Sequence, residues 1–317
     1  EPSDIKFSQP TEISIPFNGS LRPEQVPIAK LYLDSAKSIG GGLISLKCGG
    51  GKTVLALYIA SVLGVKTVVL VHKDFLMTQW RDRIQEFLPD ARIGKIQQTT
   101  VDIANKDIVL AMVQSISMKE YPKDTFASFG LAIFDECHHL GAEVFHRSMG
   151  KVACRYSLGL SATPNRKDGL RKVFEWYIGP MVYMTKDKNT DHIEVRVYEY
   201  THDSPSYNRE ETIYTAKGQK PCYPRMINNV CAFPPRQQFI NDLIVKEHSL
   251  GRKVLILSDR REHLNATLKH LNTRIHPDVA GLYVGGMRPE QLRTSQEKDI
   301  ILGTFSMASE GMDIPKL

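Results

Sequence analysis

The amino-acid sequence predicts an α/β protein built on parallel sheets, and two observations support that prediction. Short apolar runs recur along the first half of the chain with helix-like segments between them, at 67–72, 107–113, 131–136 and 156–163. These runs are continuous rather than alternating, as strands covered on both faces require. A second series of strand-like and helix-like segments follows a polar stretch that begins near residue 180, which indicates a second domain.

The composition is that of an ordinary globular protein. The 317 residues, 42% hydrophobic and 24% charged, are enough for two domains. The stretch "EPSDIKFSQP" has no apolar core of signal-peptide length, and no apolar run approaches a membrane span, so we expect neither secretion nor membrane insertion. Five cysteines without CxxC spacing favour a reducing intracellular compartment and no disulfide-linked partner. The net charge of +6 permits a polyanionic partner without requiring one.

A glycine-rich stretch, "SLKCGGGKT" at 45–53, joins an apolar run to a helical segment. At the start of a helix the first backbone N–H groups lack intrahelical partners and the dipole is positive, so this junction can bind an anion. The alternative interpretation is a flexible glycine hinge. The segment "TVLALYIASVLG" carries the apolar residues that indicate the helix, namely Val54, Leu57, Ile59 or Ala60, and Val62.

The strict phosphate-loop pattern fails at one position of this stretch. It needs a glycine where the chain has Leu46. One large group of NTPases accepts another residue there and keeps only G-x-G-K-T, which Gly49, Gly51, Lys52 and Thr53 supply. In a phosphate loop the lysine adds its charge at the terminal phosphates and the threonine hydroxyl can ligate magnesium.

The remaining elements follow from periodicity. The segment 74–88 places Phe75 or Leu76, Trp80, Ile84, and Phe87 or Leu88 on one helical stripe. After residue 180, "HIEVRVYEY" alternates, and a polar segment rich in turn formers follows, which we interpret as a connector with a small protruding module. Then "RQQFINDLIVKEHS" and "REHLNATLKHL" predict helices, and "KVLILSD" and "DIILGTF" predict strands. A second domain with so few strands would leave the apolar faces of its helices and strands uncovered. We therefore expect more strands beyond Leu317.

Two acidic residues close one apolar run. "IFDECHHL" places Asp135 and Glu136 at the end of a strand, on the sheet edge where ligands of doubly wound folds bind. In an ATPase the first acid holds magnesium and the second orients the attacking water. The alternative is a solvated acidic pair. Zinc at Cys137, His138 and His139 is disfavoured, because adjacent residues do not easily converge on one ion.

Seven stretches in order resemble the motifs of superfamily-2 helicases of the DEAH/DECH type, within the XPB-like group that includes relatives encoded by large DNA viruses. They are "LRPEQ", "CGGGKT", "VHKDFLMTQW", "DECH", "SATPNRKDGL", "LILSDRREHL" and "GTFSMASEGMDIP". The resemblance runs from about residue 21 to the chain end. It implies a P-loop NTPase with two RecA-like parallel-sheet domains, the second incomplete because motif VI is absent.

The resemblance also implies domain bounds. It gives an N-terminal extension at 1–20, an ATP-binding domain at 21–182, a connector with a thumb-like insertion at 183–235, and a second RecA-like domain at 236–317. Within the insertion, three basic and two aromatic side chains offer groups for a nucleic-acid strand, the alternative being a solvated loop: Lys217, Lys220, Arg225, Tyr214 and Tyr223.

In an enzyme of this kind Lys52, Asp135 and Glu136 would be catalytic, with ATP and Mg²⁺ as cofactors. Asp135 and Thr53 would hold the metal, and Glu136 would polarise the water. The residues implied to bind the nucleotide are Arg22, Gln25, Gly49, Gly50, Gly51, Lys52, Thr53, Glu310, Gly311 and Asp313.

Two of these residues suit the adenine side of the nucleotide. Gln25 can pair with the N6/N7 edge of adenine in two bonds, and Arg22 is placed near it. For Arg22 the alternative is helix-capping chemistry in "RPEQ".

Other residues are implied to contact nucleic acid or to couple it to the nucleotide state. A small hydroxyl can change hydrogen-bond partners over a short shift. The residues are His138, Ser161, Thr163, Arg166, Gly303 and Thr304. Asp168 completes an Arg-Lys-Asp sequence where XPB-like enzymes carry a motif rich in arginine and acid.

The sequence therefore predicts an ATP-dependent helicase or translocase. The resemblance favours DNA over RNA and 3′-5′ polarity, with transcription, repair or replication machinery as possible partners and no membrane. It does not decide whether the protein is located in the nucleus, in the cytoplasm, or in a viral particle or factory. Two alternatives are a small-molecule P-loop kinase, which leaves the last two motifs unexplained, and a nucleotide-switched nucleic-acid clamp or assembly factor with little hydrolysis.

Overall fold

The computed structural model of the chain divides into two units, Glu1–Thr190 and Asp191–Leu317. We describe each unit by itself. The described residues are 10–47, 49–122, 124–136, 142–161, 171–185, 194–215 and 218–308.

The first unit contains an eight-stranded sheet in the order β4-β3-β5-β2-β6-β7-β1-β8. Every neighbouring pair is parallel except β3 and β4, which form an antiparallel edge. The strands are β1 (Gly41–Ser45), β2 (Thr67–Val71), β3 (Ile93–Gln97), β4 (Thr100–Asp102), β5 (Ile108–Met112), β6 (Leu131–Phe134), β7 (Tyr156–Ser161) and β8 (Met181–Met184). The predicted α/β class is confirmed.

Six helices are described in this unit, and they cover both faces of the sheet. They are α1 (Gln25–Ile39), α2 (Lys52–Leu63), α3 (Asp74–Phe87), α4 (Val113–Met118), α5 (Ala142–Lys151) and α6 (Arg171–Ile178). In β2, Val69 and Val71 pack with α1, α2 and α3, whereas Val68 and Leu70 pack with α4, α5 and α6. Continuous apolar strands are therefore needed, because neither sheet face meets water.

The helical stripes agree with the sequence for α3 and differ for α2. In α3 the buried residues include Leu76, Trp80 and Ile84, as predicted. In α2 the prediction for Val62 is wrong, because its side chain is 51% exposed. The buried residues of α2 cover most of its circumference, since the helix packs with α1 and α3 as well as the sheet: Leu55, Ala56, Leu57, Ile59 and Ala60.

An ion pair between exposed Arg92 and buried Asp107 lies at the start of β3 and β5, at the ends of these strands away from the site described below. Arg92 directs Nη2 to Asp107 Oδ1 at 2.6 Å and Nε to Oδ2 at 2.9 Å, and its backbone N–H also donates to Oδ2. These hydrogen bonds hold the pKa of the Asp107 carboxyl below its usual range. A bidentate pair of this kind fixes the entries into β3 and β5.

We expect Asp107→Asn to lower the free energy of unfolding at neutral pH. Because the folded pKa is depressed, the ionised carboxylate stabilises the fold above the unfolded value of about 3.9, and this stabilisation is lost as the pH falls through the folded value. Urea unfolding of both proteins from pH 7 to pH 3 should show the difference shrinking with acid. Asp102→Asn, at an exposed pair with Lys106, is the matched control and should change little. A difference that stays constant with pH would contradict this account.

The second unit contains a parallel three-stranded sheet in the order β11-β13-β12. Its described elements are β9 (Thr212–Thr215), β10 (Gly218–Pro221), α7 (Tyr223–Ala232), α8 (Pro234–Ser249), β11 (Val254–Leu257), α9 (Arg261–Leu271), β12 (Ala280–Tyr283), α10 (Pro289–Glu297), β13 (Ile300–Gly303) and α11 (Phe305–Ala308). The predicted strands β11 and β13 and helices α8 and α9 are present, whereas β12 and α10 were not predicted.

The polar segment before this sheet contains an antiparallel hairpin, β9 with β10, followed by α7. No residue of α7 is buried. The alternating residues 194–200 form no hydrogen-bonded strand, and Val195 and Val197 are exposed. Instead, the rings of Tyr198 and Tyr200 lie against Phe239 of α8.

Two further properties of the described residues concern their helices and their cysteines. None of their helices is long and apolar enough to cross a membrane. Of the described cysteines, Cys154 and Cys222 are buried, and burial raises the pKa of the Cys154 thiol to about 12. That thiol is therefore protonated and unreactive at neutral pH.

Candidate functional site

The carboxyl ends of three adjacent strands bring the predicted site residues to one sheet edge. The order β6-β7-β1 places the acidic pair after β6 next to Ser161, the last residue of β7. Ser161 is in register with Ser45 of β1, and its carbonyl accepts a hydrogen bond from the N–H of Leu46, where the glycine-rich loop begins. Ligands of open parallel sheets bind at such an edge.

The glycine-rich loop turns directly into α2, whose first residue is Lys52. Gly49 and Gly51 both have φ of 73°, in the left-handed region that glycine adopts without strain. Gly50 donates its N–H to the carbonyl of Lys47 at 3.0 Å, which closes the turn. The first N–H groups of α2 have no intrahelical acceptor and can bind an anion, so the loop has the geometry of an anion site rather than a hinge.

Lys52 and Glu136 form an ion pair across the sheet edge, between Nζ and Oε1. Both side chains are mostly buried, at 13% and 20% exposed. Glu136 itself has φ of 47°, which is uncommon for a residue with a side chain and directs the chain sharply out of β6. The loop lysine and the second acid of the pair are therefore in direct contact.

Asp135 is buried and accepts a hydrogen bond from Trp80 Nε1 at its Oδ2, 2.7 Å away. The backbone N–H of Glu136 also donates to this carboxylate. Burial raises the pKa of Asp135, while the Trp80 hydrogen bond acts in the opposite direction. The sequence predicted Trp80 as a core residue and missed this contact, although the N–H of a buried indole needs an acceptor.

Arg22 and Gln25 both contact the carbonyls of the glycine loop. Arg22 Nη1 donates to Gly49 O at 3.1 Å. Gln25, only 2% exposed, donates from Nε2 to Gly50 O and Gly51 O, and its Oε1 accepts the backbone N–H of Arg22. The N-cap residue of α1, Glu24, makes no side-chain capping hydrogen bond. To pair with adenine through two bonds, Gln25 would have to release these contacts.

The donor atoms available at this edge suit a hard cation. Asp135 supplies a carboxylate and Thr53, in the first turn of α2, a hydroxyl. Magnesium takes oxygen ligands and is usually held by one or two protein groups together with waters and phosphates. In the described part of the chain, no group of three or more His, Cys, Asp or Glu side chains could hold a metal ion. A site that draws most of its ligands from nucleotide and water fits that finding.

The other predicted residues lie elsewhere in the chain. Gly303 ends β13, and Thr304 follows it, half-buried, with its carbonyl accepting hydrogen bonds from the N–H groups of Met307 and Ala308 in α11. Both belong to the second unit. The predicted residues that fall outside the described ranges are Cys137, His138, His139, Thr163, Arg166, Asp168, Lys217, Glu310, Gly311 and Asp313.

Comparison with known proteins gives one family-model match and several helicase relatives. Residues 18–166, which include the loop and the acidic pair, match the family of type III restriction enzyme res subunits. The chain is 35% identical to a putative ATP-dependent RNA helicase of Acanthamoeba polyphaga mimivirus over 95% of its own length, and 34% identical to the DNA 3'-5' translocase XPB2 of Sulfurisphaera tokodaii over 51%. The chain is therefore similar to the superfamily-2 helicases, including those of the XPB-like type.

These helicase relatives are longer than the chain. It spans 58% of the mimivirus protein and 65% of a putative helicase of frog virus 3, to which it is 29% identical over 93% of its own length. The share of the Sulfurisphaera tokodaii translocase that it spans is 35%.

We expect Gly51→Ala to weaken nucleotide binding by the chain. An alanine there would keep a strained φ of 73° and place its Cβ 2.5 Å from Gln25 Nε2, so the loop must change shape. Gly251→Ala is the matched control, since Gly251 has a φ of 75° and nothing within 4 Å of the added Cβ. Both variants should lose thermal stability from the same backbone strain. Only Gly51→Ala should lose affinity for a fluorescent ADP analogue, and equal affinities would contradict the assigned packing.

Proposed function

We propose that the chain is the motor part of an ATP-dependent helicase or translocase that tracks or unwinds nucleic acid. The observation that carries the proposal is the Lys52–Glu136 ion pair beside buried Asp135, at the end of a glycine loop that opens a helix. A cation, a metal-binding carboxylate and a candidate base are thereby assembled at one anion site. A solvated acidic pair or a glycine hinge does not explain this arrangement.

ATP binding begins with exchange of the partner of Lys52. The terminal phosphates would take its ammonium group from Glu136, and the N–H groups at the start of α2 would hold the phosphate oxygens. Bound Mg²⁺, held by Asp135 and Thr53, would offset the charge that develops on the phosphates.

Hydrolysis then depends on Glu136. With Lys52 engaged by phosphate, the Glu136 carboxylate would be available to accept a hydrogen bond from water and orient it for in-line attack. The ion pair thus keeps the base inactive until nucleotide arrives. Ser161, at the end of the strand between β6 and β1, is proposed to pass the change on to the nucleic-acid contacts.

Nucleic acid is proposed to contact the exposed hairpin of the second unit. Tyr214 of β9 is 86% exposed, and Tyr223, Lys220 and Arg225 are exposed nearby in the sequence. Exposed aromatic rings with adjacent cations bind unpaired bases and phosphates irrespective of sequence. A motor that steps along any sequence requires contacts of this type.

We expect Tyr214→Ala to weaken binding of single-stranded nucleic acid by about 1–3 kcal/mol, the usual effect of removing one stacked ring. Tyr214→Phe keeps the ring and should retain most of the affinity. Fluorescence anisotropy with a labelled oligonucleotide measures both variants. Equal affinity of Tyr214→Ala and the unchanged chain would exclude this hairpin from the binding surface.

We further propose that the nucleic acid is DNA and that the motor moves along it with 3′-5′ polarity. Similarity to the Sulfurisphaera tokodaii DNA 3'-5' translocase supports it, whereas the mimivirus relative is named as an RNA helicase. We further propose an intracellular role in transcription, repair or replication. The three cysteines in the described part of the chain are free, which is consistent with a reducing compartment.

Binding measured across a salt series tests the proposed function. If phosphate contacts dominate, the logarithm of the affinity for DNA should fall steeply and linearly with the logarithm of salt concentration, and the affinity should vary little among sequences of equal length. A non-hydrolysable ATP analogue should change that affinity. Undetectable or salt-independent binding to both DNA and RNA would contradict the proposal and favour a small-molecule kinase. Binding that responds to nucleotide without any hydrolysis would favour a switched clamp.

A further inference from the structure

Trp80 is the largest fully buried side chain of the first unit, and its one polar atom contacts the proposed metal carboxylate. The side chain is 1% exposed, and Nε1 donates to Asp135 Oδ2 over 2.7 Å. The two residues are 55 positions apart and come from α3 and the end of β6. The hydrogen bond therefore joins the helix after β2 to the neighbouring strand end at the nucleotide edge.

The contact restricts how the carboxylate can turn. An indole offers a single N–H donor and no acceptor, so its direction is fixed once the ring is packed. Trp80 packs in the same apolar cluster as Leu76 and Ile84 of α3. With one oxygen of Asp135 held by this donor and the backbone N–H of Glu136 also donating, rotation of the carboxylate about its terminal bond is opposed.

We propose that Trp80 is a positioning residue that fixes the Asp135 carboxylate in the orientation that receives Mg²⁺ with the nucleotide. The inference rests on the proposed function, because it assigns Asp135 to the metal. Partners that orient a metal-binding group commonly change metal affinity about ten- to a hundredfold when removed. A phenylalanine would fill most of the same space and could not donate the hydrogen bond.

The first test separates metal affinity from packing. A fluorescent ADP analogue is titrated in EDTA, and Mg²⁺ is then added to find the concentration that gives half of the metal-dependent signal. Trp80→Phe should bind the analogue in EDTA as the unchanged protein does, yet require about ten- to a hundredfold more Mg²⁺. Ile84→Ala is the matched control, since Ile84 is buried on the same helix one turn later and makes no contact with Asp135 through a polar atom.

The control variant should lose thermal stability without a change in its Mg²⁺ requirement. An unchanged requirement in Trp80→Phe would overturn the inference. So would an equal shift in Ile84→Ala, because the effect would then come from packing of α3. Failure of the inference alone leaves nucleotide binding by the unchanged protein and its Mg²⁺ dependence intact, whereas failure of the proposed function removes both.

The second test keeps Trp80 and measures its fluorescence emission directly. The chain has two tryptophans, and the other, Trp176, is 78% exposed, so Trp176→Phe makes Trp80 the sole indole emitter. Adding Mg²⁺ to the ADP-bound variant should alter the emission of Trp80, because its acceptor is then shared with the metal. Adding Asp135→Asn to this variant should abolish that step while ADP still binds. Emission that follows ADP and ignores Mg²⁺ would overturn the inference.

Discussion

Lys52→Ala should abolish nucleotide turnover and weaken nucleotide affinity about ten- to a hundredfold. The ammonium group is the cation that the structure places at the start of α2, in contact with Glu136. A hydrogen bond to a charged group contributes about 1.5–3 kcal/mol, which corresponds to the stated loss of affinity. Removing the lysine also leaves Glu136 mostly buried beside Asp135 without this counter-charge, which further disfavours an anionic ligand.

Lys47→Ala is the matched control for this prediction. Lys47 lies in the same loop, but its side chain is exposed, and only its backbone carbonyl takes part in the turn, accepting from Gly50. Titration with a fluorescent ADP analogue and a steady-state phosphate-release assay measure the two variants. Unchanged affinity and rate in Lys52→Ala, or an equal loss in Lys47→Ala, would mean that the loop is a hinge.

Glu136→Gln should separate binding from chemistry. The amide keeps the shape of the side chain but cannot act as a base, so the hydrolysis rate should fall by about a hundredfold to ten-thousandfold. Because the variant also frees Lys52 from its ion pair, nucleotide affinity should be unchanged or higher. Single-turnover hydrolysis and equilibrium binding under the same conditions distinguish the two effects.

Glu120→Gln serves as the control, since Glu120 is exposed and pairs only at the surface with Lys151. It should behave as the unchanged protein in both assays. Equal losses of binding and rate in Glu136→Gln would assign Glu136 to structure, because a residue that merely supports the loop would affect both steps together.

The sequence predicted strands that are continuous apolar runs and missed several short strands that are not. Runs such as Thr67–Val71 are apolar throughout and fully buried, so their pattern is unambiguous. Strand β4 is three residues long and entirely exposed, and β12 is four residues long and includes Gly281. Both strands pair with a neighbour, β4 with β3 and β12 with β13, and the local sequence does not identify those partners.

For the site, the sequence identified the residues and could not pair them. Lys52 and Glu136 are 84 positions apart, and their contact follows from the strand order β6-β7-β1, which no local pattern encodes. In the same way, helical spacing predicted Trp80 as a core residue, but its hydrogen bond to Asp135 depends on the packing of α3 beside β6. Gln25 was assigned to adenine by its chemistry, whereas the structure joins it to the loop carbonyls.

Nucleic-acid stimulation of ATP hydrolysis by the full-length protein tests the central claim most directly. Steady-state ATPase rates are measured alone and with single-stranded DNA, duplex DNA and RNA of equal length, at a fixed low salt concentration. We predict hydrolysis that depends on Lys52 and Glu136 and that single-stranded DNA accelerates at least severalfold, more than RNA does. A rate that none of the three polymers changes would contradict the assignment of this chain as a nucleic-acid motor.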